Sequence, residues 1–437
     1  MAGWGCSVMK KRGKSSRFWL ALVIFSLTGQ VAWVVENMYF NVFVYKMFGA
    51  SAGEISLMVG ASAAAATVTT LLIGALSDRI GKRKLFICGG YILWGVTIWS
   101  FSMIRTDVIG RLFPAAVSAA SVGVSLVIIM DCVMTFFGST ANDACFNAWL
   151  TDMTADGGRG AAEGVNSMMP LLAVLVVFGG FMGFDLGKSE SWNAIFTIIG
   201  VAVTFIGVAG LFLLEEPDLS RREKQNYFAN ILYGFRPRAV RDNPVLYKTL
   251  LAVAVFNTSI QVFMPYLILY YTVSLEMDNY VLIMAPAIVL AAVFTALYGR
   301  VYDRVGFRRA VIAPMALLMA GYLVLYFCRG TLMVFIGSLL MMCGNLGGGA
   351  MLGAMVRDRT PENRTGMFQG LRICAQVLLP GIVGPAIGAW VLRNAATMIN
   401  NDGTASFVPN ASIFLAAFVV GCFLWLTLIP LTRRKDG

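Results

Sequence analysis

Four ionisable side chains stand inside long apolar runs: Glu36, Asp131, Asp143 and Arg372. A charge at bilayer depth is costly and marks a solute or ion pathway. The residue types narrow the chemistry. There is no histidine, which removes Ser–His and Cys–His nucleophile pairs and His-ligated metal sites. Any proton chemistry falls to carboxylates. The eight cysteines, at 6, 88, 132, 145, 328, 343, 374 and 422, contain no C-x-x-C pair and read as small buried residues. With no nucleophile–base pairing and no metal set, neither an enzyme nor a resident cofactor is expected. A proton is the expected coupling ion, and sodium is the less favoured one.

The polar neighbours of these charges define a candidate solute site. Gln30, Asn37 and Asn41 form one stripe at about 100° per residue, and Trp33, Glu36 and Phe40 extend it to a polar and aromatic arc. Amides both donate to and accept from hydroxyls, so this arc suits a hydroxyl-rich ligand. In the fourth apolar run, Asp131 and Asn142 lie about 20° apart on one face, and Asp143 and Asn147 about 40° apart on another. On a regular helix both faces cannot look equally into one narrow cavity, and Asp131 is placed nearer the outer surface. Later runs add Asn257, Gln261 and Tyr266, then Asn345 among the glycines of Gly344–Gly349, then Arg372 with Gln376. The glycines read as close helix contacts. No strand precedes them, so they do not form a nucleotide loop. The expected solute site combines Trp33, Asn37, Phe40, Asn41, Asn142, Asn147, Asn257, Gln261, Tyr266, Asn345 and Gln376. Glu36 is the expected coupling acid with Arg372 as its charge partner, and Asp143 is next in line.

Composition dictates what must position these residues. Of 437 residues, 58% are hydrophobic and 13% charged, far from the balance of a soluble domain. Twelve apolar segments are read: 18–45, 55–76, 85–104, 119–148, 160–184, 192–214, 249–273, 280–298, 310–328, 332–355, 367–392 and 411–431. Each reaches the roughly 20 residues a membrane-spanning helix needs. The runs are continuous rather than alternating, which excludes an outer-membrane barrel. The basic start at Lys10–Arg17 leads into an apolar run too long for a signal peptide and reads as a retained first helix.

Lysine and arginine set the expected topology. With an inward N-terminus, the inner segments hold 27 of the 34 basic residues and the outer loops 6, with Arg372 inside a helix. Both termini are therefore expected in the cytoplasm, in a multi-pass protein of the cell membrane. The net charge of +11 then reports topology and lipid contact, not nucleic-acid binding. The organisation expected is a six-helix bundle over 1–214, a cytoplasmic linker over 215–248 and a second six-helix bundle over 249–437, acting as a monomer. Within the linker, Tyr227, Phe228, Ile231, Leu232 and Phe235 space an apolar stripe that predicts a short surface helix.

The two bundles repeat. Gly74, Asp78, Arg79, Gly81 and Arg83 recur as Gly299, Asp303, Arg304, Gly306 and Arg308 at an offset of 225, with Lys82 and Arg309 adding basic charge. Asp152, Thr154, Asp156, Gly160 and Gly164 recur as Asp358, Thr360, Glu362, Gly366 and Gly370 at an offset of 206. The difference places about 19 extra residues in the first bundle's outer segment around 105–118. The glycines permit tight turns, and each aspartate suits a facing helix N-terminus. These loops are the candidate gates.

On these motifs the chain resembles the major facilitator superfamily of secondary transporters. The resemblance implies an all-α polytopic membrane protein of twelve transmembrane helices in two six-helix halves. A polar fourth helix, an amphipathic middle loop and an aromatic first helix also resemble the glycoside–pentoside–hexuronide:cation symporters and the sucrose carriers. Sodium-coupled members of that branch carry acids in helix two. Here 55–76 has none and only Glu54 stands at its edge. The leading expectation is proton-coupled symport of a small polar solute, a sugar or glycoside. A drug or metabolite antiporter is the alternative. Its G-P-x-x-G-G motif is missing from helix five, and only Gly384-Pro385-Ala386-Ile387-Gly388 in helix eleven echoes it. A sensor or lipid-handling membrane protein is the reading of another class, disfavoured by the lack of a soluble signalling domain.

Overall fold

The computed structural model describes residues 15–114, 118–154, 157–217, 235–277, 279–360, 365–399 and 405–432. Among them twelve helices are long and apolar enough to cross a membrane: α1 Ser16–Phe48, α2 Ala52–Ile80, α3 Arg83–Met103, α4 Ala119–Met153, α5 Arg159–Phe181, α6 Ser189–Leu213, α7 Pro244–Ser274, α8 Tyr280–Tyr302, α9 Phe307–Phe327, α10 Thr331–Arg359, α11 Gly370–Leu392 and α12 Ser412–Ile429. Each coincides with an apolar run read from the sequence. The stripe at Tyr227, Phe228, Ile231 and Leu232 lies outside the described residues.

Within the first half α3 packs on α6, α1 on α5 and α2 on α4; in the second, α9 and α8 pack on α10, and α12 and α11 on α7. Between halves, α2 lies against α11 and α5 against α8. Lipid supplies no hydrophobic drive between helices, so small residues that let backbones approach carry the packing. Gly344 shows this: a Cβ there would lie 2.4 Å from the Leu318 nitrogen of α9. The Gly344–Gly349 run is thus partly a helix contact, as expected.

Local sequence explains the helix ends. Ser51 and Glu54 form a capping box at the start of α2. This occupies Glu54, the acid at the edge of the 55–76 run, and holds it at the helix end. Gly49 and Gly81 close α1 and α2 in left-handed backbone, which glycine adopts without steric cost. The extra length of the first half is divided. Residues 104–118 separate α3 from α4 where only 328–330 separate α9 from α10, and a short helix at Thr106–Leu112 occupies that connection. In addition α4 runs 35 residues against 29 in α10. The connection from α11 to α12 holds a feature not foreseen, a hairpin of β1 (Thr397–Ile399) and antiparallel β2 (Ala405–Phe407).

With an even number of spans, Ser16 of α1 and Ile429 of α12 lie at one end of the bundle, the terminal end. The α1–α2, α7–α8 and α11–α12 connections form the distal end. Bonds joining the two halves gather at the distal end. The Tyr39 and Tyr280 hydroxyls are 2.8 Å apart. Tyr266 donates to the Ala52 carbonyl at 3.0 Å, and Tyr45 to the Phe407 carbonyl at 2.6 Å.

Candidate solute-binding cavity

Four of the spans leave regular α geometry for a wider π turn: Val35–Tyr39 in α1, Ser139–Phe146 in α4, Tyr270–Ser274 in α7 and Cys374–Leu378 in α11. Such turns recur at functional sites because they re-aim side chains. Three of them carry a polar residue into one cavity: Glu36, Asp143 and Gln376. The cavity has a volume of about 340 Å³ and lies between the halves. From the first half it takes Gln30, Trp33, Glu36, Asn37 and Asn41 of α1, residues of α2 around Ser62, and Asp131, Thr135 and Asp143 of α4. From the second it takes Gln261 of α7 and Gln376, Val377 and Gly381 of α11. Among the described residues that line it there is no lysine or arginine.

Glu36 is 7% exposed. Its Oε1 accepts from Ser62 Oγ at 2.8 Å and from Thr135 Oγ1 at 2.8 Å, and those two hydroxyls are themselves 2.8 Å apart. Glu36 Oε2 and Asp131 Oδ1 are buried without a hydrogen-bond partner. Asp143 accepts from Ser139 Oγ at 3.0 Å. The amides of α1 are braced along the helix: Asn37 donates to the Trp33 carbonyl at 2.8 Å and Asn41 to the Asn37 carbonyl at 3.0 Å. The Asn41 carbonyl oxygen is left unpaired.

The structure sorts the residues expected from sequence. Trp33, Glu36, Asn37, Asn41, Asp131, Asp143, Gln261 and Gln376 come together in the cavity. The other expected lining residues do not. Phe40 is in the packed core, with its ring 4.7 Å from Phe101 and 5.4 Å from Phe196. Asn142 is turned into the α1–α3 contact, where it accepts from Tyr91 at 3.2 Å and fills the space that a Cβ on Gly29 would need. Tyr266 is fully buried in the distal seam, bonded to Ala52 and to the Pro385 carbonyl at 3.2 Å. Asn147 is exposed and donates to the Asp143 carbonyl. Asn257 and Asn345 are half-buried and do not line the cavity.

Two expectations about charge are corrected. Arg372 does not pair with Glu36 here. Its Nε donates to Gln376 Oε1 at 3.0 Å and the side chain is exposed, because it lies one turn closer to the terminal end than Gln376. Asp131 is not near a surface; it is 2% exposed and shares the cavity with Asp143. On a regular helix the two would diverge by about 120°. A π turn holds one residue more than an α turn, and the turn that begins at Ser139 swings Asp143 back toward Asp131. Sequence reading missed Ser62 and Thr135. The signal for Thr135 was present: Asp131, Thr135, Ser139 and Asp143 recur every fourth residue. Ser62 had only the small-residue run of Gly60–Ala66 to mark it.

At the terminal end the duplicated loops have become two unlike clusters. Arg83, 1% exposed, donates Nε to Asp152 at 3.2 Å, Nη1 to Ser77 at 2.5 Å and Nη2 to Asp78. In the second half Tyr302, which stands where Ser77 does in the first repeat, donates to Asp358 at 2.9 Å. The side chain of Asp303 lies outside the described residues.

Twelve spans, a cavity at the interface of two repeated halves, and duplicated charged loops at one end define a membrane transporter rather than an enzyme. The sequence family model of the Major Facilitator Superfamily matches residues 18–349, and the chain belongs to that family. It is 25% identical over 372 residues to the tetracycline resistance protein, class C, of Escherichia coli, covering 83% of this chain and 82% of that one. Among solved structures, the nucleoside transporter NupG superposes with a TM-score of 0.70 at 12% identity, covering 95% of this chain and 99% of the other. A D-xylose-proton symporter superposes with a TM-score of 0.65 at 13% identity, covering 93% and 97%.

Proposed function

We propose that the chain is a proton-coupled symporter of a small, hydroxyl-rich solute, a sugar or a glycoside such as a nucleoside, working by alternating access. The observation that carries this reading is the placement of Glu36. A carboxyl group held by two hydroxyls, in a cavity without a basic residue, is the natural proton carrier in a chain that has no histidine. Facing it, Gln261 and Gln376 offer donors and acceptors to hydroxyls, and Trp33 offers a ring face for the C–H side of a sugar. The solved relatives named for nucleosides and for xylose with protons share this architecture.

The excess of basic residues at the terminal end supports a cytoplasmic position for that end. With that orientation the tyrosine seam would close the outer side. Solute would enter from outside after the seam parts, with the loops around Gly74–Arg83 and Gly299–Arg309 closing the inner side. In that closed state Asp78 would leave Arg83 for the N-terminus of α11, and Asp303 would face that of α5.

A second reading has its own observation. Three acids without a base also suit a solute that carries an amine, moved outward in exchange for protons, and the relative named for tetracycline resistance fits it. One assay separates the two. Proteoliposomes are offered D-xylose, uridine and tetracycline, with and without an imposed pH gradient. Accumulation of xylose or uridine on the side into which protons flow supports symport. Tetracycline movement against the proton flow supports exchange. Gradient-independent flux of all three sinks proton coupling.

A further inference from the structure

We infer that Glu36 and Asp131 form one acid pair, bridged by Ser62 and Thr135, that holds a single exchangeable proton. The inference rests on the proton-coupled reading above and names the second acid of its coupling site.

Hydrogen counting gives the first argument. Glu36 Oε1, Ser62 Oγ and Thr135 Oγ1 form a triangle whose three sides are all 2.8 Å. Each side is a hydrogen bond and needs one hydrogen. Serine and threonine supply one each. The third must come from the carboxyl group, so a proton on Glu36 completes the ring and an ionised Glu36 leaves one side empty. The arrangement matches an occupied proton site.

The second argument comes from the unused atoms. Glu36 Oε2 and Asp131 Oδ1 are both buried and unpartnered, on residues that are 7% and 2% exposed. Asp131 stands one helical turn from Thr135 on α4 and lines the same cavity as Ser62 and Glu36. Two ionised carboxylates in one water-poor site repel each other, and one proton between them relieves this. The proton then belongs to the pair rather than to either residue.

Among the described residues that line the cavity there is no basic counter-charge. Around the pair, α4 also presents Asp143 and Cys132, α3 presents Tyr91 toward Asp143, α2 presents Ser62, α1 presents Asn37 and Asn41, and α7 and α11 present Gln261 and Gln376. Asp143 with Ser139 lies nearer the terminal end on the same every-fourth-residue line, which gives protons a route from the open side.

The test uses the purified full chain in lipid and reads the infrared C=O band of protonated carboxyl groups through pH steps. Wild type should show one such band per chain, abolished in Glu36→Gln. Asp131→Asn should move its titration midpoint by about one pH unit or more. Ser62→Ala should shift the band frequency without removing it, and this milder change keeps the test open should Asp131→Asn fold poorly. Asp143→Asn should leave the band amplitude intact. A band that titrates in Asp131→Asn as in wild type, one that survives Glu36→Gln, or one displaced by sodium at constant pH overturns the pair. Wild-type flux that ignores a pH gradient, with the band behaving as described, overturns the coupled-transport reading instead.

Discussion

The two halves bring different chemistry to the same cavity. On one side α1, α2 and α4 carry Glu36, Asp131 and Asp143 with the hydroxyls of Ser62 and Thr135; on the other, α7 and α11 answer with Gln261, Gln376, Val377 and Gly381. The repeated loops diverge in the same sense. The first half knots Arg83 to Asp152, Ser77 and Asp78, while in the second Tyr302 donates to Asp358. A repeated architecture thus supplies two similar scaffolds, and side chains divide the labour. The acidic half is suited to hold an ion. The amide half is suited to recognise a solute by hydrogen bonds that carry no charge.

This division can be broken from either side. The largest effect expected is on stability. Arg83→Ala removes a buried guanidinium together with its ion pairs to Asp78 and to Asp152, whose side chain is 7% exposed. Breaking such a pair costs about 3–5 kcal/mol, so the variant should lose several degrees of melting temperature in detergent. An unchanged melting curve would show that the knot contributes little. Next comes Glu36→Gln, which should lower accumulation driven by a pH gradient by about tenfold or more while solute exchange persists. Wild-type accumulation in that variant would shift the coupling role to Asp143. Gln261→Ala should do the opposite. It should raise KM about five- to tenfold, the equivalent of one hydrogen bond, and leave the response to pH unchanged. If it altered the pH response as strongly as Glu36→Gln, the halves would not be dividing the work. The smallest effect belongs to Tyr302→Phe, which gives up the exposed hydrogen bond to Asp358. It should cost about 0.5 kcal/mol, well below Arg83→Ala in the same melting assay.

Much of the architecture was readable because the bilayer imposes simple rules. A span must be long, apolar and helical, with its backbone bonds satisfied internally, so twelve runs predicted twelve helices. Part of the cavity was readable too. Polar residues are rare enough in such runs that Glu36, Asn37, Asn41, Gln261 and Gln376 were conspicuous. The failures share a cause. Asp131 was misplaced because a regular helical wheel ignores the π turn that begins at Ser139. Phe40 and Tyr266 were drawn into the site as aromatic neighbours of polar residues, yet packing with Phe101 and the bond to Ala52 claim them for the core and the seam. Asn142 was credited to the cavity, but the bare backbone of Gly29 opens space for its amide between helices. Glu36 and Arg372 were paired because they are opposite charges inside apolar runs, whereas in this structure Arg372 donates to Gln376.

By itself, then, the sequence determined the number and length of the spans, their repeat, the choice of carboxylates for any proton chemistry and the bias of charge toward one end. These follow from composition and spacing, which act locally and add along the chain. Only the tertiary structure decided which polar residues share a cavity, that Ser62 and Thr135 hold the Glu36 carboxyl group, and that the halves meet through tyrosines at the distal end. Those outcomes depend on helix rotation and on contacts between residues far apart in the chain, such as the 99 positions between Glu36 and Thr135. One π turn changes the rotation of everything near it, and nothing in the local pattern of residues records that change.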